Sequence, residues 1–218
     1  MVQGRQNQEE YKIMTKITCK TCRRLGMSVC GREKCAFKRK PYPPGVHGRA
    51  GGKKRRTSSE YGLQLKEKQR LKFSYGLRER QFSNYIHSAI KQKAMNTVDA
   101  IFCFLESRLD NVVYRIGFAS TRAGARQLVG HGHIFVNGKK VTIPSYRIKV
   151  GDEISVRTQS SQKAIFKDLD VKIKKHETPV WISLDREKKS GKIVSVPGGS
   201  DDLLSIFNIN PIVEYYSR

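Results

Sequence analysis

Apolar residues return every three or four positions from Ser59 to about Val129 and every second position after it, which predicts helices first and strands later. Tyr61, Leu65, Lys68 and Leu71 fall on one side of a helix that starts near Ser59, and Gly76 follows its end. Phe82, Tyr85, Ile86, Ala89 and Ile90 mark a second helix within residues 78–93. Thr97 is placed to cap a third, carrying Ile101, Phe102, Phe104, Leu105 and Leu109, and Val112, Val113 and Ile116 extend its apolar face toward Gly117. Ser120 or Thr121 caps a short helix through Leu128 and Val129, which Gly130 and Gly132 can end in the left-handed conformation.

The period then falls to two. Ile134–Val136 and Val141–Ile143 flank Asn137-Gly138-Lys139-Lys140, and Asn-Gly suits a tight hairpin whose two central residues take positive φ. Gly151-Asp152 introduces a strand at 153–157. Trp181–Asp185 and Lys192–Val196 read as further strands, and Ile212–Tyr216 reads as a last strand or extended tail.

The expected class is α+β. A polar tail spans 1–13, and a cysteine-bearing basic arm spans 14–57. A helical domain spans 58–104, and a module of two helices on a small antiparallel sheet spans 105–157. A β-rich extension spans 158–218, its last residues packing back on the helical domain. Residues 14–57 hold too few apolar side chains for a core of their own and need a metal, RNA or both.

Charge narrows the choice of partner. Lys and Arg outnumber Asp and Glu by 43 to 19, a net +24. Residues 1–72 alone carry 20 basic and 5 acidic side chains. Solubility requires a net charge of only about 2–8, so the excess points to a polyanion that meets mainly the N-terminal third. No apolar run is long enough to span a membrane, and Met1–Glu10 lacks the apolar core of a secretory signal. A reducing, cytoplasmic setting is therefore expected, where clustered cysteines suggest metal before disulfides.

Cys19, Cys22, Cys30 and Cys35 stand as C-x2-C-x7-C-x4-C. Four thiolates suit a tetrahedral zinc ion, and Lys20, Arg23, Arg24, Arg32 and Lys34 favour the thiolate form and offset the charge of such a centre. A Cys19–Cys22 redox pair, two disulfides and an iron–sulfur cluster use the same residues, and His47 could replace one ligand. Structural zinc on the four cysteines is the leading expectation. Cys103, in Ile-Phe-Cys-Phe-Leu, reads as a core residue.

Lys38-Arg39-Lys40-Pro41-Tyr42-Pro43-Pro44-Gly45-Val46-His47-Gly48-Arg49 cannot be helical. Its cations suit phosphates, and Tyr42 and His47 suit stacking on unpaired bases. With Arg23, Arg24, Lys53, Lys54, Arg55 and Arg56 they make an RNA-binding arm; a solvated linker is the plainer alternative.

Arg108–Phe118, Ser120–Val129, His131–Val141, Ser145-Tyr146 and Gly151–Ile154 together closely resemble the αL-type RNA-binding module named after ribosomal protein "S-four" of the small subunit. That module also occurs in pseudouridine synthases, tyrosyl-tRNA synthetases and a heat-shock RNA-binding protein, so its surroundings decide. Cys35–Gly48, Leu65–Arg70, Tyr75–Phe82 and the ending Ile212–Arg218 resemble the "S-four" family itself, in its bacterial or organellar, zinc-bearing type. The likeness covers about residues 15–218. It departs from the family in the short interval between Cys22 and Cys30. Met14 resembles the usual family start, which makes 1–13 either an extension or an overlong assignment of the start.

The resemblance implies a structural protein that binds small-subunit ribosomal RNA early in assembly and supports translational accuracy. It implies small-subunit protein five as a neighbour and a position near the channel through which mRNA enters. By position it implies phosphate contacts at Arg108, Arg115, Arg122, Arg126 and Lys139, with Ser120 and Thr121 at the positive end of a helix. Arg108 has an alternative, an ion pair with Asp110 or Glu106.

Two other classes of protein fit these residues less well. An RNA-modifying enzyme needs a catalytic domain, and 158–218 is too short for one. The acids of 14–98 are Glu33, Glu60, Glu67 and Glu79, all in basic surroundings, so neither catalysis nor a small-molecule substrate is expected. A zinc-dependent DNA regulator needs a recognition helix, for which no pattern exists.

Overall fold

A computed structural model describes residues 17–48, 59–161, 163, 166, 169, 173, 176–198 and 206–217. The expected tail at 1–13 lies outside the described residues. Within them the chain is α+β.

Helix α1 (Cys19–Leu25) ends at Gly26, whose φ is 71°, and α2 (Ala36–Arg39) follows as a single turn. The loop between them folds onto Cys22, Leu25, Val29 and Cys35, which are buried together. Arg70 Nε donates to the Leu25 carbonyl at 2.9 Å and ties this unit to α3 (Glu60–Ser74). Ser59 caps α3, its hydroxyl accepting from Gly62 N at 3.2 Å.

Helices α3, α4 (Glu79–Lys91) and α5 (Thr97–Glu106) enclose one core around Leu71, Leu77, Phe82, Ile86, Ile101 and Leu105. The N-cap of α5 is Asn96 rather than Thr97: the Asn96 side chain accepts from Val98 N. On α3 the buried face is Gln64, Lys68, Leu71 and Lys72, while Tyr61 turns outward.

The second core lies between a sheet and helices α6 (Leu109–Ile116) and α7 (Arg122–Gly130). Thr121 caps α7, its Oγ1 accepting from Gly124 N at 3.1 Å. The sheet has order β2-β1-β3-β5-β4, with every pairing antiparallel. Its strands are β1 (Ile134–Val136), β2 (Lys139–Lys140), β3 (Glu153–Val156), β4 (Ile182–Asp185) and β5 (Ser190–Ile193). Asn137 and Gly138 take φ values of 49° and 75°, as a tight primed turn requires.

The hairpin is shorter than the alternation at 141–143 suggests, because β2 ends at Lys140. The segment beyond it leaves the sheet to serve α6: the carbonyls of Pro144 and Tyr146 accept from the N–H groups of Asp110 and Leu109 at 3.1 and 2.9 Å. These donors stand in the first turn of α6 and have no intrahelical acceptor.

The end of the chain corrects another expectation. After α8 (Thr158–Ser161), β4 and β5, residues 210–217 form helix α9 (Asn210–Ser217), not a strand. Pro211 stands in the first turn, where a missing N–H costs nothing. Ile212, Val213 and Tyr216 then share a face that packs into the α3–α5 core. Lys68 sits between the rings of Tyr215 and Tyr216, 4.5 and 5.4 Å from their centres, and pairs with Glu79 at 2.5 Å.

Candidate nucleic-acid interface and metal centre

The cysteine unit gathers its thiols by folding a short helix against a loop. The sulfurs of Cys19, Cys30 and Cys35 lie within 4.8 Å of one another. Cys22 stands in side-chain hydrogen-bonding contact with Cys30 and Cys35. All four are free thiols. Burial pushes the Cys22 thiol up to about 12. Burial would raise Cys35 too, but hydrogen bonds from the Ser28 hydroxyl and the Phe37 N–H bring it down to about 7. Sulfurs around a tetrahedral zinc ion stand about 3.8 Å apart, given metal–sulfur bonds of about 2.3 Å, so the seven-residue interval brings Cys30 near enough to Cys19 and Cys35 for three thiols to converge, a group that does not include Cys22.

Arg23 does not face outward with its neighbours. Its Nε and Nη2 donate to the carbonyls of Tyr42 and Pro43 at 2.9 and 3.0 Å, and its guanidinium stacks 4.8 Å from the Tyr42 ring centre. It therefore braces the proline-rich arm against α1, and Tyr42 is half-buried in that brace. Gly48 closes the turn, since a Cβ there would collide with the Pro43 carbonyl oxygen. Arg24, Lys38, Arg39 and Lys40 are exposed. Arg49, Lys53, Lys54, Arg55 and Arg56 lie outside the described residues, as does the side chain of His47.

In the α6–α7 module the predicted arginines divide. Lys139 and Ser120 are exposed, and Thr121 stands at the start of α7. Arg108 and Arg126, expected to meet phosphate, are instead buried on one carboxylate. Arg108 grips Asp110 with Nε at 3.0 Å and Nη2 at 2.8 Å, and its Nη1 donates to the Tyr85 hydroxyl at 2.7 Å. Arg126 reaches Asp110 and the carbonyls of Tyr75 and Gly76. Burial of Asp110 without these cations would be costly, which is why both arginines turn inward.

Arg115 is committed in the same way to Glu106, by Nε at 2.9 Å and Nη2 at 3.1 Å. Glu106 also accepts from Asn111 Nδ2 at 2.8 Å and from the Tyr75 hydroxyl. Burial alone would raise the Glu106 carboxyl, but the charges of Arg115 and Arg122 and its hydrogen bonds hold it below the ordinary carboxylate range. Arg122 is the exception among the four. Its Nε donates to Asn111 Oδ1 at 2.7 Å, while its guanidinium lies between the Tyr75 and Tyr114 rings, 4.6 Å from each centre. Its Nη2 stands 4.0 Å from Glu106, beyond hydrogen-bond reach.

Residues 14–106 match the family described as Ribosomal protein S4/S9 N-terminal domain, and residues 107–154 match the S4 domain. The small ribosomal subunit protein uS4 of Syntrophomonas wolfei is 43% identical over 210 residues, covering 94% of this chain and 98% of that protein. The uS4 of Aquifex aeolicus is 46% identical over 200 residues, 90% and 94% of the two chains. The uS4 of Thermus thermophilus is 44% identical over 206 residues, 92% and 96% of the two. The chain belongs to the uS4 family of small ribosomal subunit proteins.

A uS4 chain is a structural ribosomal protein and not an enzyme. Glu106 and Asp110, the two buried acids of this region, are enclosed by arginines. No helix among the described residues is long and apolar enough to cross a membrane. Beyond naming Glu106 and Asp110 as alternative partners of Arg108, sequence reasoning missed the parts played by Tyr75, Glu106, Asp110 and Asn111 in this uS4 architecture. The available signal was two acids flanking an arginine inside an otherwise apolar stretch, Glu106 to Val113.

Proposed function

We propose that this uS4 chain binds small-subunit ribosomal RNA directly, joins the subunit early in assembly and supports translational accuracy from within the cytoplasmic ribosome. The observation that carries this reading is family membership over more than nine-tenths of a chain of net charge +24. Small-subunit protein five is its neighbouring protein, and mRNA passes near it at the channel of entrance.

The exposed Arg24, Lys38, Arg39, Lys40 and Lys139 meet phosphates, together with the basic run Arg49, Lys53, Lys54, Arg55 and Arg56. Tyr42 and His47 lie along the same arm. Ser120 and Thr121 offer a helix start to an anion. The arm (14–57), the helical domain (58–104) and the RNA-binding module (105–157) act together, with 158–218 completing the sheet and locking the helices. Arg23, Arg108, Arg115 and Arg126 shape the surface from behind.

Cys19, Cys22, Cys30 and Cys35 hold one Zn2+. The converging sulfurs of Cys19, Cys30 and Cys35, with Cys22 buried in the same small core, support this choice. The ion supplies no chemistry beyond cross-linking the loop, which has little apolar surface of its own.

Filter binding at fixed salt tests the reading with ribosomal RNA, tRNA and duplex DNA. Tight binding to the small-subunit RNA alone is expected, with an affinity that falls steeply as salt rises. Equal affinity for DNA would overturn it. In cell extracts the chain should sediment with small subunits and survive a high-salt wash.

A further inference from the structure

The cysteine loop, the end of α3 and the start of α7 enclose a cavity of about 250 Å³. That size lies just under the roughly 300–1,000 Å³ of small-ligand pockets, so the space takes one small group and not a duplex. Val29 and Arg32 line it from the cysteine unit, Tyr75 from the end of α3, and Tyr114, Arg122 and Ala123 from α6 and α7.

The lining is cationic, and no carboxylate belongs to it among the described residues. Arg126 contributes charge, but its donors are held by Asp110 and the backbone. Arg122 is different: two tyrosine rings fix its plane, its Nε is held by Asn111, and Glu106 stands 4.0 Å from its Nη2, beyond hydrogen-bond reach. Arg32 is exposed and has no acidic partner among the described residues. The N–H groups of Arg122 and Ala123 open α7 at the same cavity and have no intrahelical acceptor. Beside these donors lie the apolar Val29 and the Tyr114 ring. An anion joined to a flat apolar group satisfies both halves.

We propose that this cavity receives one unpaired nucleotide of the bound RNA. Its phosphate meets Arg32, Arg122 and the first N–H groups of α7, and its base lies against Val29 and Tyr114. The inference rests on the RNA-binding reading above and adds to it a single pocket made jointly by the cysteine unit and the S4 domain.

Two variants of the full chain test it. Ala123→Phe occupies the mouth and removes no cation; Arg32→Ala removes one cation and leaves the space. Both positions are exposed, so folding should survive, and thermal unfolding checks that. Against small-subunit ribosomal RNA, Ala123→Phe should weaken binding roughly 5- to 160-fold, the range that base stacking commands. Arg32→Ala should flatten the log–log salt slope by about 0.7, the value for one single-stranded phosphate. Ultraviolet irradiation of the wild-type complex should join the Tyr114 peptide to a single nucleotide. If the wild type binds tightly and both variants match it in affinity and slope, the pocket is wrong and the RNA-binding reading stands. If the wild type shows no preference for ribosomal RNA, both fail together.

Discussion

Arg126 holds Asp110 with two nitrogens, Nε at 2.7 Å and Nη2 at 2.6 Å, and its Nη1 donates to the Gly76 carbonyl at 2.6 Å. One side chain thus joins α7 to the start of α6 and to the turn that ends α3, which belongs to the other core. Asp110 is almost wholly buried and takes Arg108 as well.

The expected effect of Arg126→Ala is therefore on folding before binding. Removing Arg126 takes one of two cations from a buried carboxylate that keeps Arg108, so the loss should stay below the roughly 3–5 kcal/mol of a buried charge left wholly unpaired. Urea unfolding should show a lowered midpoint with the slope kept. Lys139→Ala, at an exposed position, should leave the midpoint in place and reduce the salt slope of RNA binding instead. Equal stability of Arg126→Ala and wild type would mean the buried network does not bear on the fold.

The C-terminal helix should come loose in acid. Burial would raise the Glu79 carboxyl, but Lys68, Lys72 and the Tyr216 hydroxyl outweigh it and bring the group down from 4.5 to about 2. A folded value below the unfolded one contributes stability that is complete above pH 4.5 and lost as pH falls through about 2. Glu79→Gln removes that contribution. The urea midpoints of wild type and Glu79→Gln should differ at pH 6 and converge as the pH drops from about 4.5 toward 2. A gap that stays constant over this window would rule out Glu79 as the source.

Helix α4 and the Asn137-Gly138 turn were legible because local physics decides them. Phe82, Ile86 and Ala89 recur at helical spacing, and two adjacent residues tolerant of positive φ specify the turn. Helix α9 was not, because Ile212, Val213, Tyr215 and Tyr216 favour strands in isolation; a face packed on α3–α5 overrides that preference. The arginines divide for a related reason. Composition records that a cation is present, but whether it meets phosphate or carboxylate depends on what the fold buries beside it. Arg23 is a brace only because the proline-rich arm returns two carbonyls to it. The cavity was beyond reach of sequence reasoning, since Arg32 and Arg122 come from separate units.

Purified, reduced protein should contain one zinc ion per chain. X-ray absorption should find four sulfurs at about 2.3 Å, with no iron or scattering from nitrogen. Binding of the metal needs thiolates, so uptake near neutral pH should release protons, one of them from Cys22, whose thiol burial keeps protonated. Cys30→Ser should abolish stoichiometric zinc and expose the 26–40 loop to protease. Zinc-free protein that resists protease as well as the loaded form does would refute a structural role for the ion.

Metal and RNA should also tighten each other. Cys30 is at once one of the three converging thiols and part of the cavity lining, with Val29 and Arg32. A metal that fixes this loop fixes Arg32 opposite Arg122, so the nucleotide pocket is assembled before RNA arrives. Linkage makes the effect reciprocal: whatever factor zinc adds to RNA affinity, RNA adds to zinc affinity. Couplings of this kind span roughly 5–150-fold. Equilibrium competition against a chelator-buffered zinc series should therefore give a tighter zinc constant with small-subunit RNA than without it. Ala123→Phe, which closes the pocket but touches no cysteine, should remove most of that gain while leaving the zinc affinity of the free protein unchanged. If RNA tightens zinc equally in wild type and Ala123→Phe, the coupling runs through some other surface of the arm.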